Sequence, residues 1–509
     1  MVGWAPPPPP FAPPAPPQSA PPTAPGGSSA AARAIRRPRT ADPAPARLFI
    51  IALVAGTALD VGVRGGLANL SVAVGLAAVV AGLVTDRRLR QRSARLVVLA
   101  ALVPMAFLAV RASPWLMATN LIAIAILVAA AIAFSRSGTP FDTTFGRVVQ
   151  RVAGAIPNGW TAPRTLAPLV PRISSDRSAR LVRIGVAVML CVPVLAIVSA
   201  LLASADPVFA GLLTPDISAG PALGHIVLLA CFGLAAVCVI GMAASDTEDR
   251  SPAGRFGTVE TMTMLVLTAS VLGLFVIAQL IAATSAGQRL VERSGLTPAE
   301  YARSGFFQLC WATGIIVTLL AGIRALATPE VLRAPAIRVL GALVPILALG
   351  LVAVSLRRMA LYDDAFGLTM LRLWVSGAAV WMGITLILVA ARNAGLGMER
   401  GWVLAASTAA ALLLVVSANV ANPEAFVARH NLARSTSGAE LDPAYLAQLS
   451  DDATPAVVEA YLDGGASIRA ALEPALRCDE EAHGLTRLNL GVVRGDDARS
   501  APCEALAGG

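Results

Sequence analysis

Residues 114–134 read PWLMATNLIAIAILVAAAIAF, an apolar run that carries no charge. A helix rises about 1.5 Å per residue, so a run of this length covers the roughly 30 Å hydrocarbon core of a bilayer. Together with this run, ten similar runs give eleven predicted spans: 48–63, 66–85, 96–111, 114–134, 181–203, 221–243, 259–284, 305–327, 336–356, 371–391 and 402–420. The sequence therefore predicts an all-α, polytopic transmembrane helix bundle.

The composition excludes a soluble enzyme with a small membrane anchor. Of the 509 residues, 56% are hydrophobic and only 14% are charged, whereas soluble proteins carry roughly 25% charged residues. All 40 basic residues are arginines, and four of the six cysteines, Cys191, Cys231, Cys238 and Cys310, fall in apolar runs. No CxxC motif occurs, and we expect neither a metal site nor a cofactor.

The first 47 residues are rich in proline, with 15 prolines among alanine, serine and glycine. Proline removes backbone donors and few side chains are available for a core, so we predict a disordered tail with polyproline II character. A PxxP ligand for a partner domain is the alternative. No apolar run lies near Met1, so no cleavable signal peptide is expected.

The distribution of arginine predicts the orientation, because cytoplasmic loops carry the excess of positive charge. The tail and every second loop after it hold 24 arginines, and the loops of the other side hold 8. We therefore expect a cytoplasmic N-terminus, and the odd number of spans places the C-terminus outside. The same sorting explains the net charge of +9 without nucleic-acid binding, and the expected partner is the lipid bilayer with its anionic headgroups.

The segment 135–180 is too long for a simple turn on the cytoplasmic side. Apolar residues recur in it at helical spacing and arginines lie elsewhere on the wheel, namely Phe141, Phe145, Val148, Val152 and Ile156 against Arg147 and Arg151. This pattern favours an amphipathic helix on the inner membrane surface, where anionic lipid attracts arginine. An ordinary loop helix packed on the bundle is the alternative.

Residues 421–509 form a separate polar unit with 14 acidic residues and 7 arginines. Three helix starts are predicted in it by a capping side chain before a proline, at Asn422-Pro423, Asp442-Pro443 and Thr454-Pro455. The pair Gly464-Gly465 ends the third helix, and another helix is expected over about 466–477. We predict a small extracellular helical unit that docks on the membrane part, because its apolar residues are few for an independent core.

Two cysteines, Cys478 and Cys503, lie in polar sequence of this unit. A disulfide between them is one expectation, because an exterior location permits it. Two free thiols in a flexible tail are the other.

A cluster of charged and aromatic residues is predicted on the outer face, centred on the predicted loop 357–372. Its members are Asp206, Tyr301, Arg303, Arg357, Arg358, Tyr362, Asp363, Asp364 and Arg372. Structural ion pairing is one interpretation, because unpaired charge near the interface is costly. The other is a pocket for an anionic headgroup or small anion, with arginine as a fork-shaped donor.

Five stretches carry a resemblance to a known family. They are Ser204–Phe209, Pro298–Phe307, Arg357–Arg372, Asn422–Phe426 with Asn431–Arg434, and Leu441–Leu446 with Leu449–Pro455. In order and spacing they resemble a bacterial multi-pass membrane family known as domain of unknown function 4153/4173, over roughly residues 200–460. The resemblance implies a polytopic protein of the bacterial cell membrane and implies no activity or catalytic residue.

Three functions remain open from the sequence. A non-enzymatic scaffold or sensor is favoured, in which the outer-face cluster organises the extracellular unit. A transporter or flippase-like carrier is the second, although ionisable residues are scarce deep in the spans, and Asp60 with Arg64 reads as a local ion pair. A membrane enzyme acting on lipid-linked substrates is the third, and no catalytic residue is assigned.

Overall fold

In this computed structural model the described residues are 45–85, 91–135, 145–169, 221–243, 256–282, 306–396, 402–436, 440–478 and 488–508, with the single residues 3, 89, 138, 143 and 438. Helices and turns make up these residues, without a strand among them, and one isolated bridge joins Phe256 to Ala327. The chain divides into Met1–Asp42 and Pro43–Gly509. All helices below belong to the second unit, and most of the predicted disordered tail lies outside the described residues.

The membrane part begins with helices α1 to α13. Their bounds are α1 Pro45–Arg64, α2 Leu70–Thr85, α3 Arg92–Ala100, α4 Leu102–Leu108, α5 Pro114–Ala133, α6 Phe145–Thr161, α7 Pro221–Met242, α8 Thr258–Ala282, α9 Phe306–Leu326, α10 Pro329–Arg333, α11 Pro335–Phe366, α12 Met370–Ala394 and α13 Trp402–Ala421. Eight described helices are long and apolar enough to cross a membrane: α1, α5, α7, α8, α9, α11, α12 and α13. The predicted all-α polytopic bundle is confirmed.

Ten of the eleven predicted spans lie on described helices, and span 181–203 lies outside the described residues. The predicted continuous span 96–111 is wrong, because α3 and α4 are separated at Ala101. Pro104 explains the break: proline has no N–H for the carbonyl of Ala100, and its ring crowds that carbonyl.

The predicted loop 357–372 is also wrong in its extent. Helix α11 continues to Phe366, and only residues 367–369 connect it to α12. Nothing between residues 357 and 366 breaks a helix, whereas Gly367 has φ of +78°, a conformation that glycine adopts without steric cost. The charged residues after 356 therefore lie on the last turns of a helix.

Two apolar clusters form the membrane part. The first buries residues such as Leu83, Val98 and Leu108 from α2, α3 and α4, and the second buries residues such as Val344 and Leu386 from α11 and α12. Helix α13 packs on both α12 and α5, and so links the two clusters.

The C-terminal unit comprises α14 to α18 and one 3₁₀ turn. The bounds are α14 Pro423–Thr436, α15 Pro443–Ala447, α16 Thr454–Asp463, α17 Ala466–Leu472, the 3₁₀ turn Glu473–Leu476 and α18 Leu490–Gly508. Its core includes Val427, Leu446, Val457 and Leu476. The sequence had not predicted α18.

Two of the three predicted caps are present. The Oδ1 atoms of Asn422 and Asp442 accept the N–H groups of Ala425 at 3.3 Å and Tyr445 at 3.0 Å. Thr454 as a cap is wrong, because α16 begins at Thr454 itself. Its hydroxyl instead accepts a hydrogen bond from Arg477 at 3.1 Å.

Backbone hydrogen bonds show which ends of the membrane helices face the C-terminal unit. The N–H of Leu70, after the α1–α2 turn, donates to Leu488 O at 2.9 Å, and the N–H of Leu490 donates to Ala109 O at 2.8 Å. At the turn between α11 and α12, the N–H of Leu368 donates to Asn431 Oδ1 at 2.9 Å. These turns and the end of α13 lie on one side, which we call the C-terminal side of the membrane part.

Candidate functional site

A buried set of polar side chains joins the C-terminal unit to the membrane helices. We call it the polar junction and define it as Arg111, Ser113, Glu424, Ser450 and Asp452. Glu424, at the start of α14, is only 2% exposed. Its Oε1 accepts a hydrogen bond from the Ser113 hydroxyl at 2.6 Å, and its Oε2 accepts the N–H of Ser450 at 2.6 Å. One carboxylate therefore connects the start of α5 with the turn before α16.

Asp452 makes the second connection to the start of α5. Its Oδ2 accepts the N–H groups of Ala112 and Ser113, each at 3.0 Å. Ser113 does not cap α5 with its own side chain, so Asp452 supplies the acceptor that the helix N-terminus needs. Burial raises the pKa of Asp452 to about 6, and the nearby Glu424 carboxylate also raises it. The two backbone donors and Arg111, which lies 3.8 Å away, lower this pKa but do not offset the burial.

Arg111 links the same turn to the end of α13. Its Nε donates to Asn419 O at 2.6 Å, and its Nη2 donates to Val420 O at 3.1 Å. Next to it, the side chains of Asn120 and Asn419, both fully buried, exchange two hydrogen bonds of 3.0 and 2.8 Å. Reciprocal amide bonds of this kind hold helices together where no water is present.

Asp451, beside Asp452, pairs with arginines of the C-terminal unit. Its Oδ1 lies 2.8 Å from Arg477 Nη2 and also accepts a hydrogen bond from Arg499. The disulfide Cys478–Cys503 follows Arg477 directly and lies one turn beyond Arg499, with 5.5 Å between its Cα atoms. The two predicted cysteines are therefore joined in the structure, and they attach α18 to the rest of the unit.

Asn489 fastens the start of α18 to the membrane part. Its Nδ2 lies within 2.9 to 3.1 Å of the carbonyl oxygens of Ala68, Leu108 and Arg111. Its Oδ1 accepts the N–H of Gly491 at 2.8 Å. A Cβ on Gly491 would lie 2.5 Å from Asp452 Oδ1, so only glycine permits this approach.

Replacing Asn489 by alanine is expected to loosen α18 from the membrane part. Three carbonyl oxygens and a backbone N–H lose a buried partner, at a cost of about 2–4 kcal/mol. Hydrogen exchange of the full chain in detergent is expected to show faster exchange at the Leu70 and Leu490 amides. Asp497→Ala, an exposed change in α18, serves as the control, and equal exchange in both variants would contradict the assignment.

Part of the predicted outer-face cluster comes together at the α11–α12 turn. The Arg372 guanidinium lies 4.0 Å from the centre of the Tyr362 ring, and its Nη1 lies 3.9 Å from Asp363 Oδ1. Arg372 also donates to Gly367 O. These contacts are internal to the turn, as the structural-pairing interpretation expects, and the anion pocket stays a prediction.

Three further members of the cluster, Arg357, Arg358 and Asp364, also lie on α11. Arg357 is exposed on α11, whereas Arg358 is half-buried. The backbone oxygen of Asp364 accepts a hydrogen bond from Arg434 at 2.6 Å. The remaining members, Asp206, Tyr301 and Arg303, lie outside the described residues.

The α11–α12 turn is also a docking point for the C-terminal unit. Asn431 receives the N–H of Leu368 and returns a bond from Nδ2 to Leu368 O at 2.8 Å. The N–H of Met370 donates to the Tyr445 hydroxyl at 2.7 Å. Among the described residues, the unit is thus held at three places: the polar junction, the start of α18 at Asn489, and this turn.

A further polar group connects α1 with α7. Asp60 is 3% exposed, and its two oxygens lie 3.0 Å from Arg64 Nε and 2.5 Å from His225 Nδ1. The ion pair expected from the four-residue spacing is present. The second partner of Asp60, His225 on α7, lies 165 positions further along the chain, so sequence spacing does not reveal this contact.

The family described as Domain of unknown function (DUF4153) matches residues 94–460. The chain belongs to this family. The DUF4153 match includes all five residues of the polar junction, whereas Asn489 and the disulfide lie beyond it. No curated protein and no solved structure matches the chain. The family match and the apolar helices show that the protein is an integral membrane protein, and its activity is unknown.

The sequence had not selected the polar junction as a site. Glu424, Ser450 and Asp452 fall within stretches that carry the DUF4153 resemblance, and that was the signal for them. Arg111 is the last residue of the predicted span 96–111, and nothing in the sequence singled it out. The contact between Ser113 and Asp452 joins residues 339 positions apart, so spacing gave no indication of it.

Proposed function

We propose that this DUF4153 protein is a non-enzymatic scaffold or sensor of the bacterial cell membrane. Its C-terminal unit is held on the outer ends of the membrane helices and presents a fixed surface there. The polar junction is the observation that carries this proposal. Glu424 and Asp452 bind three backbone amides, two serine hydroxyls and an arginine of this chain, so both carboxylates hold the structure together.

Hydroxyl groups on three of the described membrane helices, α8, α9 and α11, support a scaffold over a carrier. Thr268 and Thr313 donate to the carbonyls four residues earlier, at 2.7 and 2.8 Å. Ser355 does the same at 2.8 Å. Hydroxyls satisfied by their own helix do not supply a polar route for a substrate.

The proposed orientation has the N-terminus in the cytoplasm and the C-terminal unit outside. The arginine ratio of 24 to 8 supports it, and so does the disulfide, because disulfides persist in oxidising compartments. A C-terminal tag is expected to be cleaved by protease added to intact spheroplasts. A tag protected until lysis would overturn the orientation.

Cysteine accessibility tests the scaffold against the carrier. In a chain with Cys191, Cys231, Cys238 and Cys310 changed to alanine, Thr268→Cys and Thr313→Cys are treated with a membrane-impermeant maleimide from each side. We expect both to resist labelling, because a scaffold has no water-filled path at that depth. Labelling from either side would contradict the proposal and favour a carrier. Asp463→Cys, exposed in the C-terminal unit, is the control and is expected to react from outside.

A further inference from the structure

Helix α6 is fixed at the membrane boundary, on the side away from the C-terminal unit. Arg151 Nη1 donates to Ala133 O, at the end of α5, at 3.1 Å. At the other end of α6, Gly159 packs on the last turns of α7, where an added Cβ would lie 2.8 Å from Cys238 O. The helix therefore lies at the level where α5 and α7 end.

Three faces of α6 have different character. One face is turned to the bundle and consists of Val148, Arg151, Ala155 and Gly159. A second face is apolar and exposed: Phe145 is 67%, Val149 50% and Ile156 53% accessible. The third face is polar or small and also exposed, and it consists of Gln150, Gly154, Asn158 and Thr161.

The angles between these faces identify what each one meets. At 3.6 residues per turn, the apolar stripe lies about 90° from the bundle face, and the polar face lies about 150° from the stripe. A helix in the membrane plane, at the edge of a bundle, has protein beside it, lipid on one side and water opposite the lipid. The three faces follow this order.

We propose that α6 lies in the plane of the membrane and inserts Phe145, Val149 and Ile156 into the adjoining leaflet. The apolar stripe is covered by lipid, because it adjoins membrane helices at their ends. This side of the membrane also carries 24 of the sorted arginines, against 8 on the other side. Anionic headgroups fit that charge. The two expectations for this segment thus combine, because α6 packs on the bundle with one face and on lipid with another. The inference is independent of the proposed scaffold function.

Spin labels at neighbouring positions test this inference. In the chain with Cys191, Cys231, Cys238 and Cys310 changed to alanine and the disulfide kept, Val149→Cys and Gln150→Cys are labelled with a nitroxide. The full chain is placed in nanodiscs of phosphatidylethanolamine and phosphatidylglycerol. Collision rates are measured with oxygen, which concentrates in the bilayer, and with a water-soluble nickel chelate.

The ratio of oxygen to nickel collisions is expected to be several-fold higher at residue 149 than at residue 150. Phe145→Cys and Ile156→Cys are expected to resemble residue 149, which protects the result against one badly tolerated label. Equally low ratios at 149 and 150 would place both faces of α6 in water, equally high ratios would place both in lipid, and either result would overturn the proposal. Low collision rates with both reagents at 149 would mean that protein covers the stripe, and would overturn it as well.

Discussion

Replacing Glu424 by alanine is expected to detach the C-terminal unit from the start of α5. The substitution removes the acceptor of the Ser113 hydroxyl and of both Ser450 donors at a carboxylate that is 2% exposed. Each buried donor left without a partner costs about 1–3 kcal/mol, so the total is about 3–5 kcal/mol. The melting temperature of the full chain in detergent is expected to fall, and the amides of residues 450–453 to exchange faster.

Two matched variants separate the junction from a general effect of losing charge. Glu459→Ala removes an exposed carboxylate of α16 and is expected to change stability by less than about 0.5 kcal/mol. Glu424→Gln keeps an oxygen for the Ser450 donors and is expected to lose less than the alanine variant. If Glu424→Ala and Glu459→Ala behaved alike, Glu424 would not be holding the unit.

The membrane part could be predicted because each span is one continuous apolar segment of the sequence. The runs that gave α5, α7 and α13 needed only their length and lack of charge. Two errors concern the bounds of the helices. Pro104 divides a predicted span, whereas the charged residues after 356 do not end α11, since charge at a helix end is compatible with the interface.

The site was less predictable because its contacts join distant segments. The pair Asn120 and Asn419 is separated by 299 positions, and Asn489 contacts Ala68 across 421. Helix α18 has few apolar residues to mark it, and its start is defined by Asn489. Arg372 and Asp363, nine residues apart on either side of one turn, are a case where proximity in sequence was sufficient.

A second large effect is expected from pH, through Asp452. Its pKa is about 6 in the folded chain and about 3.9 in an unfolded one. Below pH 4 both states hold the proton. Between pH 4 and 6 the folded chain keeps a proton that the unfolded chain has lost, so this contribution to stability declines as the pH rises and is gone above pH 6. Two pKa units correspond to about 3 kcal/mol.

The measurement compares melting temperatures of the full chain and of Asp452→Asn in detergent from pH 4 to 8. Other groups titrate in the same range, so the quantity of interest is the difference between the two proteins. We expect it to change by about 3 kcal/mol across pH 4 to 6, the wild type losing stability relative to the variant as the pH rises. Glu459→Gln, an exposed carboxylate, is expected to follow the wild type at every pH.

Glu424 provides an internal check on this assignment, because its charge is one of the causes of the raised pKa of Asp452. Glu424→Gln removes that charge. Arg111 and the two backbone donors, which lower the pKa of Asp452, remain. The midpoint of the pH-dependent loss is therefore expected to move to lower pH in Glu424→Gln. A midpoint that stays in place would mean that the two carboxylates do not interact across Ser113. A difference between Asp452→Asn and wild type that is constant from pH 4 to 8 would mean that Asp452 is ionised throughout, with Arg111 and the start of α5 compensating fully for its burial.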